Sequence, residues 1–185
     1  PIAASILVIP NVTNQPIISS GTAAVANNIT IDANATLTLD GGGSLTMNGN
    51  LTNNGTFTGN SGSSLIVSGT STGDITYNLA IPDTNWHLVS SPVVGETYDD
   101  AWIAANAIAS GTGNNRGIST YNNGTPDATT LHWRYSQAGS TTAFTAGGGY
   151  ANKRTASGNY SFTGAYPTTD ITPAISQNDK KDNLI

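Results

Sequence analysis

Between Asn27 and Asp74 the chain places apolar residues in short alternating bursts: Ile29-Thr30-Ile31, Leu37-Thr38-Leu39, Leu45-Thr46-Met47, then Leu51, Phe57 and Leu65-Ile66-Val67. Side chains alternate along an extended strand, so each intervening Thr points to the opposite face. Gly and Asn fill the intervals, at Gly41-Gly42-Gly43, Asn48-Gly49, Asn53-Asn54-Gly55 and Gly59-Asn60, where positive φ lets the chain turn sharply. The leading apolar positions recur three bursts later, after 22 residues (29 to 51), 20 (37 to 57) and 20 (45 to 65). Three short strands in about twenty residues make one coil of a parallel β-solenoid, and this stretch holds about two coils. The same bursts also suit an antiparallel meander, because Asn-Gly is a strong hairpin signal. The solenoid reading puts Leu37, Leu39, Leu45, Met47, Phe57, Leu65 and Val67 on an inner face.

The pattern changes on both sides. Residues 1–26 form a separate N-terminal segment in which Ser5–Ile9 is a continuous apolar strand bracketed by Pro10 and Pro16. From 75 to 185 the reading is a β-sandwich module with one helix. Ile75–Ile81 alternates over its whole length, and Trp86–Val89 follows the turn Pro82-Asp83-Thr84-Asn85. A helix is predicted from Thr97 to Ser110, with Tyr98, Trp102, Ala105, Ile108 and Ala109 at helical spacing and Asp99 and Asp100 in its first turn. Further strands are predicted at 117–121, 131–135, 149–151 and 160–163. The fold class is therefore all-β: a short parallel solenoid-like stack followed by a β-sandwich with one helix.

Composition narrows the partners. Charged residues make up 9% of the 185 positions, against roughly 25% in an ordinary soluble domain. Thr, Gly, Asn and Ser fill 87 positions, and the net charge is only −5, so low charge and ordered patterning argue against disorder. The first basic residue is Arg116, with seven acids before it. Nucleic acids and anionic membrane surfaces need cations that this half of the chain does not carry. Ile6–Ile9 is far too short to insert into a bilayer, and no charged leader precedes it, so Pro1 reads as a mature or trimmed end. There is no cysteine, hence neither a disulfide framework nor a thiolate metal site. A lysine-poor, Thr/Asn/Gly-rich chain of this kind points to the cell exterior.

Several residues bear on chemistry. Gly69-Thr70-Ser71-Thr72-Gly73 matches a nucleophile-elbow pattern, but the next element is a strand, whereas the elbow needs a helix. Asp99 and Asp100 are adjacent on a helix and point about 100° apart, unsuited to paired-carboxylate hydrolysis. His87 and His132 have no partner at metal-ligand spacing. Asp32, Asn34 and Asp40 offer oxygen ligands at solenoid corners and are the weak calcium candidates. Trp86, Trp102, Trp133 and Tyr135 are candidates for stacking on sugar rings, Trp86, Trp133 and Tyr135 foremost, set against the commoner role of aromatics as core. No enzyme activity, cofactor or resident metal is expected.

The segment Thr36–Thr58 (TLTLDGGGSLTMNGNLTNNGTFT), the run Trp86-His87-Leu88-Val89-Ser90-Ser91-Pro92, and the later Trp133-Arg134-Tyr135, Gly149-Tyr150 and Tyr160-Ser161-Phe162-Thr163-Gly164 go together. Over residues 27–185 this arrangement resembles large cell-surface proteins of Bacteroidota exported by the type IX route, in which such repeats precede a β-sandwich module. The resemblance implies secretion and a place on the cell surface. In that family the sandwich continues past a strand like Asn183-Leu184-Ile185, so the module is expected to be cut and the chain to be part of a longer one. The function expected is that of a segment or subunit of a surface filament, stalk or adhesin, assembling head to tail into a homopolymer by strand pairing. Ala4, Ser5, Ile6, Leu7, Val8 and Ile9 are the expected donor strand. The alternative is a carbohydrate-binding module of a secreted polysaccharide-degrading protein, with surface polysaccharide as partner.

Overall fold

The computed structural model describes residues 5–122 and 132–174. In chain order its strands are β1 (Ile6–Ile9), β2 (Ile17–Ile18), β3 (Ala23–Ala26), β4 (Asn28–Ile31), β5 (Thr36–Leu39), β6 (Ser44–Met47), β7 (Leu51–Asn53), β8 (Thr56–Asn60), β9 (Ser64–Val67), β10 (Ser71–Thr72), β11 (Asp74–Ile81) and β12 (Trp86–Val89). After helix α1 (Asp100–Ala105) come β13 (Asn115–Tyr121), β14 (Trp133–Gln137), β15 (Tyr150–Lys153) and β16 (Gly158–Ala165). The protein is all-β, a stack of parallel strands followed by a separate antiparallel sheet. It divides into two compact units. One gathers the chain to Ala80 with Pro92–Gly95 and Asn159–Asp170; the other takes Ile81–Ser91, Glu96–Gly158 and the chain from Ile171.

The first unit is the solenoid. Its three parallel sheets run β1-β4-β7-β10, β2-β5-β8-β11 and β3-β6-β9. Ile29 pairs with Leu51, Leu37 with Phe57 and Leu45 with Leu65, the same offsets of 22, 20 and 20 that the sequence carries. The hairpin alternative is thereby excluded. Inward residues are mostly apolar and buried, among them Ile31, Leu37, Leu39, Leu45, Met47, Leu51, Phe57 and Val67, while Leu65 is half-buried and Asn53 is a buried polar member of the same face. The intervening threonines face outward, as the period of two requires. One corner repeats as a column: Gly21 N–H donates to Gly42 O and Gly42 N–H to Gly62 O, both at 3.0 Å. All three glycines sit at φ between 77° and 83°, a conformation that costs a side chain energy.

Three expectations need correction. The stack is not two coils but three complete ones, β1–β3, β4–β6 and β7–β9, with β10 and β11 beginning a fourth. Residues 1–26 are therefore no separate segment, because Leu7 pairs with Ile29 and Ala24 with Leu45. This coil is hard to see because its first corner is long, is bracketed by Pro10 and Pro16, and lacks the Gly/Asn spacing of the others. Likewise, 75–81 and 160–163 belong to the stack and not to a sandwich. Strand β16 lies beside β11, with Thr76 and Thr163 hydroxyls 2.9 Å apart and Ser161 Oγ donating to Asn78 Oδ1 at 2.7 Å, an antiparallel sense. An alternating strand reads the same whichever sheet it joins.

The second unit carries a four-stranded antiparallel sheet in the order β12-β15-β13-β14. Asp99 caps α1 by accepting the Trp102 N–H at 2.8 Å. The helix stops five residues before the predicted Ser110. Asn106 turns its side-chain amide onto Trp102 O, Ala107 takes φ 49°, and Ile108 and Ser110 leave to bridge Arg154 and Arg116. Competing backbone pairing therefore ends a segment whose apolar spacing continues. Tyr98, Trp102, Phe144 and Tyr150 pack edge to face with centroids 4.9–5.8 Å apart and form this unit's core.

Leu45 sits between Ala24 and Leu65 in its ladder and is about 1% exposed. Leu45→Asp would bury a carboxylate with no partner and should lower unfolding free energy by more than about 3 kcal/mol. Urea unfolding checks this, and an unchanged midpoint would contradict the inward placement.

Candidate functional site

The face of the antiparallel sheet that bears Trp86 is built from β12 upward. Alternation sends Trp86 and Leu88 to one side of the strand and His87 and Val89 to the other. Residues directly opposite in an antiparallel pair share a face, and the register aligns Trp86 with Lys153, Leu88 with Ala151, Ala151 with Ser119, and Ser119 with Tyr135. One row, Leu88-Ala151-Ser119-Tyr135, thus crosses all four strands with its two smallest side chains in the middle. Trp86 and Tyr135 stand on the two edge strands, whose backbones are about 14 Å apart at normal strand spacing. Their rings nevertheless lean inward to a centroid distance of 5.9 Å at 62°.

The rings arch over a floor of buried Ala151 and Ser119, yet Trp86 remains 45% and Tyr135 38% exposed. The arch divides the trough in two. One hollow of about 290 Å³ is lined by Leu88, Ser119, Trp133 and Ala151 as well as the two rings. The other, of about 370 Å³, adds Ser110, Thr112, Asn115, Arg116 and Lys153.

The turn before β12 is pinned. Asn85 N–H donates to Asp83 Oδ1 at 2.8 Å, and His87 Nε2 lies 2.9 Å from the same oxygen. The Asn85 N–H first, and the His87 ring second, hold the Asp83 carboxyl below the usual carboxylate range. This contact fixes where the strand starts and hence where Trp86 is presented. Trp133 is held differently: Tyr121 stacks on His132 at 5.3 Å and meets Trp133 edge-on at 5.2 Å, leaving the indole half-buried.

Among the described residues the only Lys and Arg side chains are Arg116, Arg134, Lys153 and Arg154, all in this unit. Arg154 is buried and donates to Ala156 O at 3.0 Å. Arg116 Nη2 lies 3.6 Å from Asp100 Oδ1. Lys153 has no carboxylate partner among the described residues. The sequence reading names the three aromatics but misses Lys153, because its cross-strand position opposite Trp86 depends on a register that no local pattern carries.

The other candidates are dispersed. Asp32 and Asn34 lie at the corner after β4, but Asp40 lies at the far end of β5, about 13 Å of strand away. Asp40 instead ends a polar ladder across the sheet: Asn60 Nδ2 donates to Asp40 Oδ1 at 3.3 Å, Asn78 to Asn60 at 3.2 Å, and Ser161 to Asn78. Ser71 is in β10, paired with Leu51, and its hydroxyl is buried. Asp99 is the helix cap, and Asp100 accepts the Gly139 N–H at 3.0 Å.

The expected donor strand is seated in its own stack: Ile6–Ile9 pairs in register with Asn28–Ile31, and Ser5 O accepts from Asn27 N–H. Ala4 lies outside the described residues. Among the described residues, no strand pairs with the outer edge of the first coil. Ile6 (71%), Val8 (60%) and Ile17 (59%) are exposed there, beside a hollow of about 430 Å³ reaching Leu7, Ile9, Ile29, Leu37 and Leu45.

Fold and surface together define an all-β protein in which a parallel β-stack with an open apolar end is joined to an antiparallel sheet with an aromatic face. The chain belongs to the family described as a domain of unknown function, DUF8693, whose model matches residues 1–183. No curated protein and no solved structure matches it.

With Asp40 engaged in the ladder and apart from Asp32 and Asn34, added millimolar calcium should leave the melting temperature unchanged. Differential scanning calorimetry with calcium and with a chelator checks this; a rise of several degrees with calcium would locate a site at the corners.

Proposed function

We propose that the protein is an extracellular structural module, a segment of a surface stalk or adhesin, that pairs its open first coil with that of another copy. The observation that carries this reading is the outer edge of the first coil. Strands β1, β2 and β3 each end a sheet there, and among the described residues no strand pairs with the main-chain groups on their outer side. Residues 5–31 contain no charged side chain, so the edge lacks the inward lysines and acids that usually prevent pairing. Edge pairing would bring main-chain hydrogen bonds and bury Ile6, Val8 and Ile17 together.

The other end of the stack is partly covered, which bears on geometry. β16 occupies the outer edge of β11, and Tyr166 Oη donates to Leu65 O of β9 at 2.6 Å. Head-to-tail stacking would have to displace these contacts. Two first coils meeting about a two-fold axis displace nothing and give a closed, isologous pair. The composition supports an extracellular setting, where a neutral surface rich in hydroxyl and amide groups is common.

Light scattering after size exclusion should give a dimer mass that falls towards the monomer on dilution. Val8→Lys with Ile17→Lys, both at exposed positions, should abolish the dimer while leaving the melting temperature close to that of the unmodified chain. A monomer at every concentration would overturn the reading.

A further inference from the structure

We infer that the trough arched by Trp86 and Tyr135 binds an acidic polysaccharide, with sugar rings against the two aromatics and a uronate carboxylate on Lys153. This concerns the second unit alone and stands whether or not the first coil pairs.

A pyranose has apolar C–H faces and a polar rim, so it needs rings to pack on and hydrogen-bonding groups around them. The trough provides both. The unit's core aromatics, Tyr98, Phe144 and Tyr150, are buried against one another, whereas Trp86 and Tyr135 keep large exposed surfaces with a hollow on either side. Each hollow is near the lower end of the range that holds a small ligand. Two of them in line, divided by one aromatic arch, suit successive units of a chain better than a single sugar. Ser110, Thr112 and Asn115 supply polar groups on the Lys153 side.

The charge of the ligand follows from what lines that hollow. Among the described residues it is lined by Arg116 and Lys153 and by no acidic side chain. Asp100 lies beside Arg116, whereas Lys153, the cross-strand neighbour of Trp86, has no carboxylate partner among the described residues. A ring on Trp86 that carries a carboxylate can therefore stack and form a charge-assisted hydrogen bond at once. The whole chain carries a net charge of −5, so general attraction to a polyanion is not available to it. Retention by an acidic glycan would report a local site.

The test uses the full chain, polygalacturonate as the acidic probe and a neutral soluble β-glucan as the comparison, in affinity electrophoresis and in titration with oligogalacturonate followed by tryptophan emission. The expected result is retardation by polygalacturonate but not by the neutral glucan, weakening as salt is raised. Trp86→Ala should remove it. Lys153→Gln should weaken it by about tenfold and flatten the salt dependence. Tyr135→Ala, which removes the second ring, should weaken it as well, and unchanged melting temperatures exclude misfolding as the cause of any loss. Val8→Lys should bind like the unmodified chain, which separates this result from the assembly state. Absence of binding to polygalacturonate, equal binding to the neutral glucan, or full affinity in Trp86→Ala would each overturn the inference.

Discussion

Each coil of the first unit must return to the same place after 20 to 22 residues, because only then do its N–H and C=O groups meet those of the next coil. Everything else in that unit follows from this in-register pairing. A slip of one residue would turn Leu37, Leu45 and Phe57 outward and bury threonines instead, so the apolar inner face and the backbone ladder enforce one register together. The corners must have the same reach on every turn, and the column Gly21, Gly42 and Gly62 gives one corner its repeat. The polar outer face adds a second set of links through Asp40, Asn60 and Asn78. This lets a chain with few large apolar residues still bury a continuous core.

How much of this is legible in the sequence depends on whether the signal is local. The offsets between Ile29 and Leu51, Leu37 and Phe57, and Leu45 and Leu65 are written in the spacing, and the parallel register follows them. The inner face is equally legible, since Thr alternates with Leu, Ile and Met. The first coil is not, because Ile6, Leu7, Val8 and Ile9 are apolar on both faces and conceal which side is inward. Strands β11 and β16 show their alternation plainly but not their partners. The early end of α1 is invisible for a related reason: Ile108 fits a helical stripe and is taken instead by a bridge to Arg154.

The aromatic face was only partly legible. Trp86, Trp133 and Tyr135 can be picked out as ring-bearing strand residues, yet nothing local separates the two that arch over the trough from the one packed against Tyr121. That separation arises from register, which places small Ala151 and Ser119 between the edge strands so that the rings can lean across. The same register puts Lys153 beside Trp86.

The two units divide the charge between them, and this links the two surfaces. Among the described residues every lysine and arginine lies in the second unit, so the stack has acids at a few corners and no cation. Its first coil has neither. Pairing of such a neutral edge with a copy of itself would need no desolvation of ions, and like charges would not oppose the contact. The Lys153 ammonium on the aromatic face works the other way, because in a chain with a net negative charge it is a position where an anion would meet attraction instead of repulsion. On the two proposals made above, scarcity of charge would act as specificity: one surface would pair with its own kind through the backbone, and the other would hold a carboxylate beside a ring.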